Sequence, residues 1–492
     1  MSLRRLKGLL MKLRKLEYKW QVGIVFVVAL FMDLLDITVT NVAIPTLATE
    51  FQATTTTIEW VITGYLLSLA VFIPISGWLG DRFGTKLIFC AALSLFIVSS
   101  LLCGLAWDVE SLIAFRVIQG IGGGMLTPVG TTMLFRAFPP SQRAAASAIL
   151  ALPITIAPAL GPILGGYLVE YHDWRWIFFV NVPIGLIGLA MAVTLLREEK
   201  MTDAGSLDIP GFLLGAGGLV AVVYALAEAG AHGFDDTRVI VIGLTGLATL
   251  ALFVWAELRA KEPMIDVRLL GDKLFGASNV VQLVGNAGQM GSFFLLPIFL
   301  QAQKGLSPLD TGLIVFPMAL GVAVMAQPAA KLYPKIGPRK MMITGFVGIM
   351  FLTLALALVD YDTSSWWIAL NMFLRGMAFG LLIIPIQAAT FATIRPEDTG
   401  RASSIFSVGR QVAASLGVAI LATVLATRLT DHEAILADPS TREGALQAFH
   451  DAFIFAGLMS ILGIIASLLI DDKKAMHAAN TLAVEGEPVH VG

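Results

Sequence analysis

The sequence predicts an all-α polytopic membrane protein of fourteen spans: two repeated six-helix halves with an extra helical pair between them. Three observations carry that prediction. Hydrophobic residues make up 57% of the chain and charged residues 14%, against about 25% charged in a soluble globular protein. The apolar residues gather into fourteen separate runs, each long enough, at about 1.5 Å per residue, to cross a hydrocarbon layer. The loops between the runs alternate sharply in positive charge.

The chain opens on a basic segment, residues 1–20, in which Leu3, Leu6, Leu9, Leu13 and Leu16 recur among Arg4, Arg5, Lys7, Lys12, Arg14 and Lys15. That pattern fits an amphipathic helix lying on an anionic leaflet, and equally a solvated basic tail. No cleavable signal peptide is expected, since the apolar run behind it is of full spanning length. Six runs, at 21–43, 58–79, 87–106, 110–135, 144–168 and 175–196, form the N-terminal half (21–200). Runs 209–229 and 238–258 are the extra pair (201–262), which the sequence places beside the bundle. Runs 274–302, 309–331, 340–359, 366–393, 402–427 and 450–470 form the C-terminal half (263–472), followed by a tail at 473–492.

Arg82, Lys86, Arg136, Arg143, Arg197 and Lys200 fall on the side of the basic N-terminus, as do Arg339, Lys340, Lys473 and Lys474. The opposite side carries few, such as Arg175, Arg238 and Arg428. The positive-inside rule then puts both termini in the cytoplasm of a bacterial-type inner membrane, which requires an even number of spans. Fourteen satisfies that requirement. The longest outer loop is expected from about Thr430 to Phe449.

The chain has no glycine-rich loop ending in Gly-Lys-Ser/Thr, no His-Glu-x-x-His pair and no Cys-x-x-Cys. ATP hydrolysis and metal chemistry are therefore not expected, nor is an enzyme, a cofactor or a nucleic-acid partner. Cys90 and Cys103 lie in one run, roughly 20 Å apart on a helix and too far for a disulfide.

The first run carries two carboxylates, Asp33 and Asp36, followed by Thr40. Spacings of three and four place them on one helix face. A carboxylate in a spanning helix costs several kcal/mol unless it meets water, a partner or a proton. It is expected to be a proton or ion site on a cavity wall, with a hydrogen bond to a neighbouring helix as the alternative. Arg116, in the fourth run, lies at a similar depth, roughly 10 Å below the same face by helical rise. Two roles fit it: partner of a carboxylate, or donor to backbone carbonyls.

Between runs two and three stands Gly77-Trp78-Leu79-Gly80-Asp81-Arg82-Phe83-Gly84-Thr85-Lys86. It resembles the hallmark cytoplasmic loop of the major facilitator superfamily, with Thr85 where an arginine is usual. Leu35-Asp36-Ile37-Thr38-Val39-Thr40-Asn41-Val42-Ala43-Ile44-Pro45 resembles the first-helix motif of the fourteen-span drug:proton antiporters in that superfamily. Arg116-Val117-Ile118-Gln119-Gly120 is similar to the fourth-helix motif, and Gly161-Pro162-Ile163-Leu164-Gly165-Gly166 to the fifth-helix antiporter motif, with Ala157 where a glycine is common. Trp174-Arg175-Trp176 through Asn181-Val182-Pro183 resembles the start of the sixth helix in the same group, and Arg410 to Ala419 extends the likeness into the C-terminal half.

The resemblance implies the facilitator fold and a proton-coupled antiporter that exports lipophilic compounds by alternating access. It assigns proton coupling to Asp33, Asp36 and Arg116, and a conformational latch to Gly77, Asp81, Arg82 and Gly84. A hinge falls on Pro158, Gly161, Pro162, Gly165 and Gly166, whose proline and glycine content by itself fits either a moving hinge or a static kink.

The halves repeat. Aligning Gly337 with Gly84 gives an offset of 253 residues, and a worn copy of the loop motif, Lys331 to Lys340, in which Pro334 and Lys335 replace the Asp-Arg pair. The same offset carries Asp33 onto Asn286 and Asp36 onto Gln289. Asn279, Gln282, Asn286 and Gln289 form an amide stripe on the ninth run, which fits a wet cavity wall or helix–helix hydrogen bonding. With Thr40, Phe293 and Phe294 it is the expected substrate cavity. The expected partners are a lipophilic small molecule, protons and membrane lipids. A lipid, fatty acid or metabolite cargo with a periplasmic or cell-wall partner is the alternative, and a non-transporting sensor a more distant one.

Overall fold

A computed structural model describes residues 13–138, 143–200, 206–260, 263–395, 398–436 and 439–476. Most of the basic N-terminal segment and of the C-terminal tail lies outside them. Every long apolar run is helical, because in a bilayer only a helix or closed barrel satisfies each backbone N–H and C=O internally. The first half contains α1 (Tyr18–Glu50), α2 (Trp60–Phe83), α3 (Thr85–Gly104), α4 (Val109–Ala137), α5 (Arg143–Tyr171) and α6 (Asn181–Leu195). Helices α7 (Ile209–His232) and α8 (Thr237–Arg259) follow. The second half contains α9 (Lys273–Ile298), α10 (Pro317–Ile336), α11 (Pro338–Leu356), α12 (Ser365–Phe391), α13 (Thr399–Asp431) and α14 (Arg442–Leu468). Thirteen helices among the described residues are long and apolar enough to cross a membrane; the 29-residue α5 adds the fourteenth run that the sequence contains.

The helix ends follow local chemistry. The start of α4 is a capping box, in which the Asp108 carboxylate accepts from Ser111 N at 2.7 Å and the Ser111 hydroxyl accepts from Asp108 N at 3.2 Å. The Ser111 amide holds the Asp108 carboxyl below the usual carboxylate range. Pro317 breaks the tenth run into Pro308–Val315 and α10. The outer loop expected from Thr430 to Phe449 is shorter than that, since α13 continues to Asp431 and α14 already begins at Arg442. Ala445, Ala448, Phe449 and Ala452 are buried, so the apolar side of α14 runs at helical spacing through a stretch whose polar residues read as loop.

The chain divides into two units, Met1–Val220 with Ser307–Gly312, and Ala221–Leu306 with Leu313–Gly492, the division falling inside α7. In the first unit α1 packs on α5, α2 on α4 and α3 on α6. In the second, α9 packs on α13, α10 on α12 and α11 on α14, the same three pairings. Helices α7 and α8 are the least buried of the thirteen. The turns after α2 and α10 also match. Gly84 has φ +110° and Gly337 φ +86°, a region in which a side chain is strained.

Close approach sets the α1–α5 contact. A Cβ on Gly165 would fall 2.8 Å from the Val39 carbonyl oxygen, and one on Gly161 would collide with Thr38. The obstacle at Gly165 is backbone and cannot rotate away. Gly165→Ala is expected to destabilise the chain by about 1–3 kcal/mol through overpacking, read as a lowered melting temperature of the detergent-purified protein.

Candidate functional site

The apolar interior of the first unit encloses one dense polar cluster. Asp36, on α1, is 1% exposed and Arg116, on α4, is also 1% exposed. Arg116 Nη1 donates to Asp36 Oδ2 at 2.5 Å, and its Nε donates to the Val61 carbonyl at 2.9 Å. The two roles read for Arg116 are thus both filled by one side chain. The other Asp36 oxygen, Oδ1, accepts from Gln119 Nε2 at 3.0 Å and from Asn181 Nδ2 at 2.6 Å. Gln119 also accepts from Arg116 at 2.6 Å and donates to the Ser100 hydroxyl at 2.7 Å. Helices α1, α2, α3, α4 and α6 therefore each bring a polar atom to this point. The guanidinium lies over the Tyr65 ring, its central carbon 4.0 Å from the centroid.

Asp33 sits one turn away. Its Oδ1 accepts from the Tyr65 hydroxyl at 2.6 Å, so the ring that covers Arg116 also contacts the second carboxylate. Thr40 turns back on its own helix, donating to the Asp36 carbonyl at 2.7 Å. Gln119, Asn181, Tyr65 and Ser100 are site residues that the sequence reading missed. The signal for Gln119 was its spacing of three from Arg116. A further omission is Glu59, fully buried at the start of α2, with neither carboxylate oxygen hydrogen-bonded among the described residues.

At the loop motif, Asp81 pairs with Arg136 of α4 at 2.8 Å, both about one-third exposed. Arg82, expected to share this role, is exposed. A Cβ on Gly77 would meet nothing within 4 Å. Just after α6, Glu198 accepts from the backbone N–H groups of Lys86 and Leu87, both at 3.1 Å, at the start of α3. Asp472, just after α14, likewise accepts from Arg339 N at 2.8 Å, at the start of α11. Each acid lies where a helix N-terminus offers unpaired amides, and each fills the space that a Cβ on Gly84 or Gly337 would need. The Asp81-Arg82 pair is lost from the second copy of the motif, whereas this acidic cap is present in both.

Among the fifth-helix residues, Pro158 and Pro162 lie within an unbroken α5. Gly166 approaches the backbone at Pro308 and Leu309. Along α9, Asn279 donates to the Phe275 carbonyl and Asn286 to the Gln282 carbonyl, while Gln282 reaches the Phe406 carbonyl of α13 at 2.9 Å. Gln289 donates to the Met318 sulfur at 3.4 Å. Part of the stripe thus ties helices together, and the side-chain oxygens of Asn279, Gln282 and Gln289 have no partner among the described residues. Phe293 is half-buried, whereas Phe294 is fully enclosed and so offers no surface to a substrate in this conformation.

The major facilitator superfamily model matches residues 26–418. A Mycobacterium tuberculosis protein named multidrug resistance protein B homolog is 36% identical over 421 residues, 84% of this chain and 77% of that protein. Among solved structures, a bacterial homolog of the human lysosomal transporter Spinster aligns with TM-score 0.63 at 16% identity, covering 96% of this chain and 99% of that one. The peptide transporter POT in complex with sulfate aligns with TM-score 0.64 at 15% identity, covering 92% and 96%.

The buried pair makes a double-mutant test specific. Removing one member leaves the other charge uncompensated, so Arg116→Met is expected to destabilise by roughly 3–5 kcal/mol. Asp36→Leu combined with Arg116→Met should cost clearly less than the two single changes added together, in thermal melts of all four proteins.

Proposed function

The chain belongs to the major facilitator superfamily, and from that premise we propose that it is a proton-coupled antiporter exporting amphiphilic, mainly lipophilic compounds. It is a multi-pass membrane transporter and not an enzyme. The observation that carries the finer reading is the enclosure of Asp36 by Arg116, Gln119 and Asn181 inside apolar helices. Paired with Arg116, the carboxylate keeps its charge in a low-dielectric interior. Parted from it, the same carboxylate holds its place there only by taking up a proton. A change in helix packing that separates α1 from α4 would thereby load a proton, and the reverse change would release it. Asp33, joined through Tyr65, is the second acid on this route, and partnerless Glu59 is a third candidate carrier.

In this reading Asp81 and Arg136 hold the cytoplasmic ends of α2 and α4 together, with both chain termini in the cytoplasm. Gly161 and Gly165 let α5 slide on α1 beside Asp36. Phe293 and the α9 amides line the part of the cargo's route that lies within the second unit. The name of the mycobacterial relative supports drugs as cargo.

The test is ethidium uptake into inverted membrane vesicles under an imposed pH gradient. Wild type is expected to accumulate ethidium with the gradient, and Asp36→Asn to lose at least about tenfold in initial rate, as expected when an essential proton carrier is removed. Uptake unchanged by Asp36→Asn and by Asp33→Asn would overturn the role given to α1.

A further inference from the structure

In the second unit the same framework recurs without its carboxylate. Arg375, on α12, is 1% exposed and has no acidic partner among the described residues. Its Nε makes no hydrogen bond. The guanidinium borders a narrow cavity lined also by Gln289 of α9, Thr353 of α11 and Ser460 of α14, with no acidic residue on its wall. Gln289 and Thr353 are 3% and 1% exposed, and the Thr353 hydroxyl and the Gln289 side-chain oxygen are both without partners. A Cβ on Gly288, at the cavity's edge, would meet nothing within 4 Å.

Two of the wall residues have positional counterparts around Asp36, and two more stand on corresponding helices. The offset of 253 that carries Asp36 onto Gln289 also carries Ser100 onto Thr353. Arg116 and Arg375 stand on corresponding helices, since α2 packs on α4 as α10 packs on α12. Asn181 and Ser460 stand on α6 and α14, which pack on α3 and α11 in the same way. In the first unit, the arginine's charge is met by a carboxylate held between those helices. In the second, an amide replaces that carboxylate and a gap lies beside it. An uncompensated guanidinium in a dry interior is among the costliest arrangements a protein can hold.

We infer that this cavity is an anion site, in which Arg375, Thr353 and Ser460 bind a small monovalent anion in place of the missing carboxylate. All three can donate hydrogen bonds, and the room suits a single small group. Two sources supply that chemistry, inorganic chloride and the carboxylate head of an acidic cargo. Only the second rests on the transporter reading above.

The experiment is thermal unfolding of the purified full chain in HEPES buffer free of chloride and carboxylates, titrated with sodium chloride or sodium hexanoate. An anion bound only by the folded protein raises the melting temperature, here by about 2 °C or more on saturation. The comparison protein is Gln289→Glu, which restores in place the carboxylate that the first half carries. That variant should fold and show no saturable response, and Arg375→Gln should lose the response likewise. A response to chloride identifies the inorganic source, and one to hexanoate alone identifies the cargo. Chloride binding would stand even if ethidium transport failed. No saturable rise with either anion, or an equal rise in Gln289→Glu, would overturn the site.

Discussion

An ionised side chain in hydrocarbon has to be met from several directions at once, and that requirement organises the first half of this protein. Asp36 accepts from α4 through Arg116 and Gln119 and from α6 through Asn181, while Arg116 reaches a carbonyl of α2. Ser100 anchors Gln119 from α3. No single helix can supply such a shell, because side chains on one helix face diverge. Satisfying one carboxylate therefore fixes the mutual positions of five helices. Tight α1–α5 packing at Gly161 and Gly165 then brings a sixth against the same stretch of α1.

The internal repeat shows which parts of the design are architectural and which are chemical. Helix pairings, the positive-φ glycine turns and the acidic caps Glu198 and Asp472 occur in both halves. They are the parts needed to turn a chain between spans and to satisfy helix N-termini, whatever is carried. The buried polar centres differ. The first half holds a compensated ion pair, and the second a buried arginine with no acidic partner among the described residues. On the readings proposed above, a duplicated scaffold with one acid exchanged for an amide would gain a site of opposite appetite, one half suited to a proton and the other to an anion.

The sequence announced the spans plainly, since a run of about twenty apolar residues has few other meanings. Asp36 and Arg116 stood out for the same reason, being charges where charge is expensive. Gln119, Asn181 and Ser100 did not, because a neutral polar residue in a spanning helix bonds as readily to its own backbone as to a neighbour. Thr40 and Asn286 do the former, Asn181 the latter. Glu198 and Asp472 were hidden differently: each lies in an unremarkable charged loop, and its partners are more than a hundred residues away. Arg375 carried the strongest unused signal, a charge inside the twelfth run.

Two ion pairs of the first half, Asp36–Arg116 and Asp81–Arg136, also differ in what they can control. Asp81 and Arg136 meet where water reaches both, and such a pair contributes roughly 0–1 kcal/mol, further weakened by salt. That is enough to bias two conformations of similar energy and too little to impose one. Asp36 and Arg116 are sealed from water, so separating them without compensation costs several kcal/mol. A transporter that moved these helices apart freely would have to meet that cost on every cycle. In the proposed cycle a proton on the acid would remove that cost, while the Tyr65 ring face remains to hold the guanidinium. In the cycle proposed above, the surface pair would tune the equilibrium, whereas the buried pair would make the movement conditional on a proton.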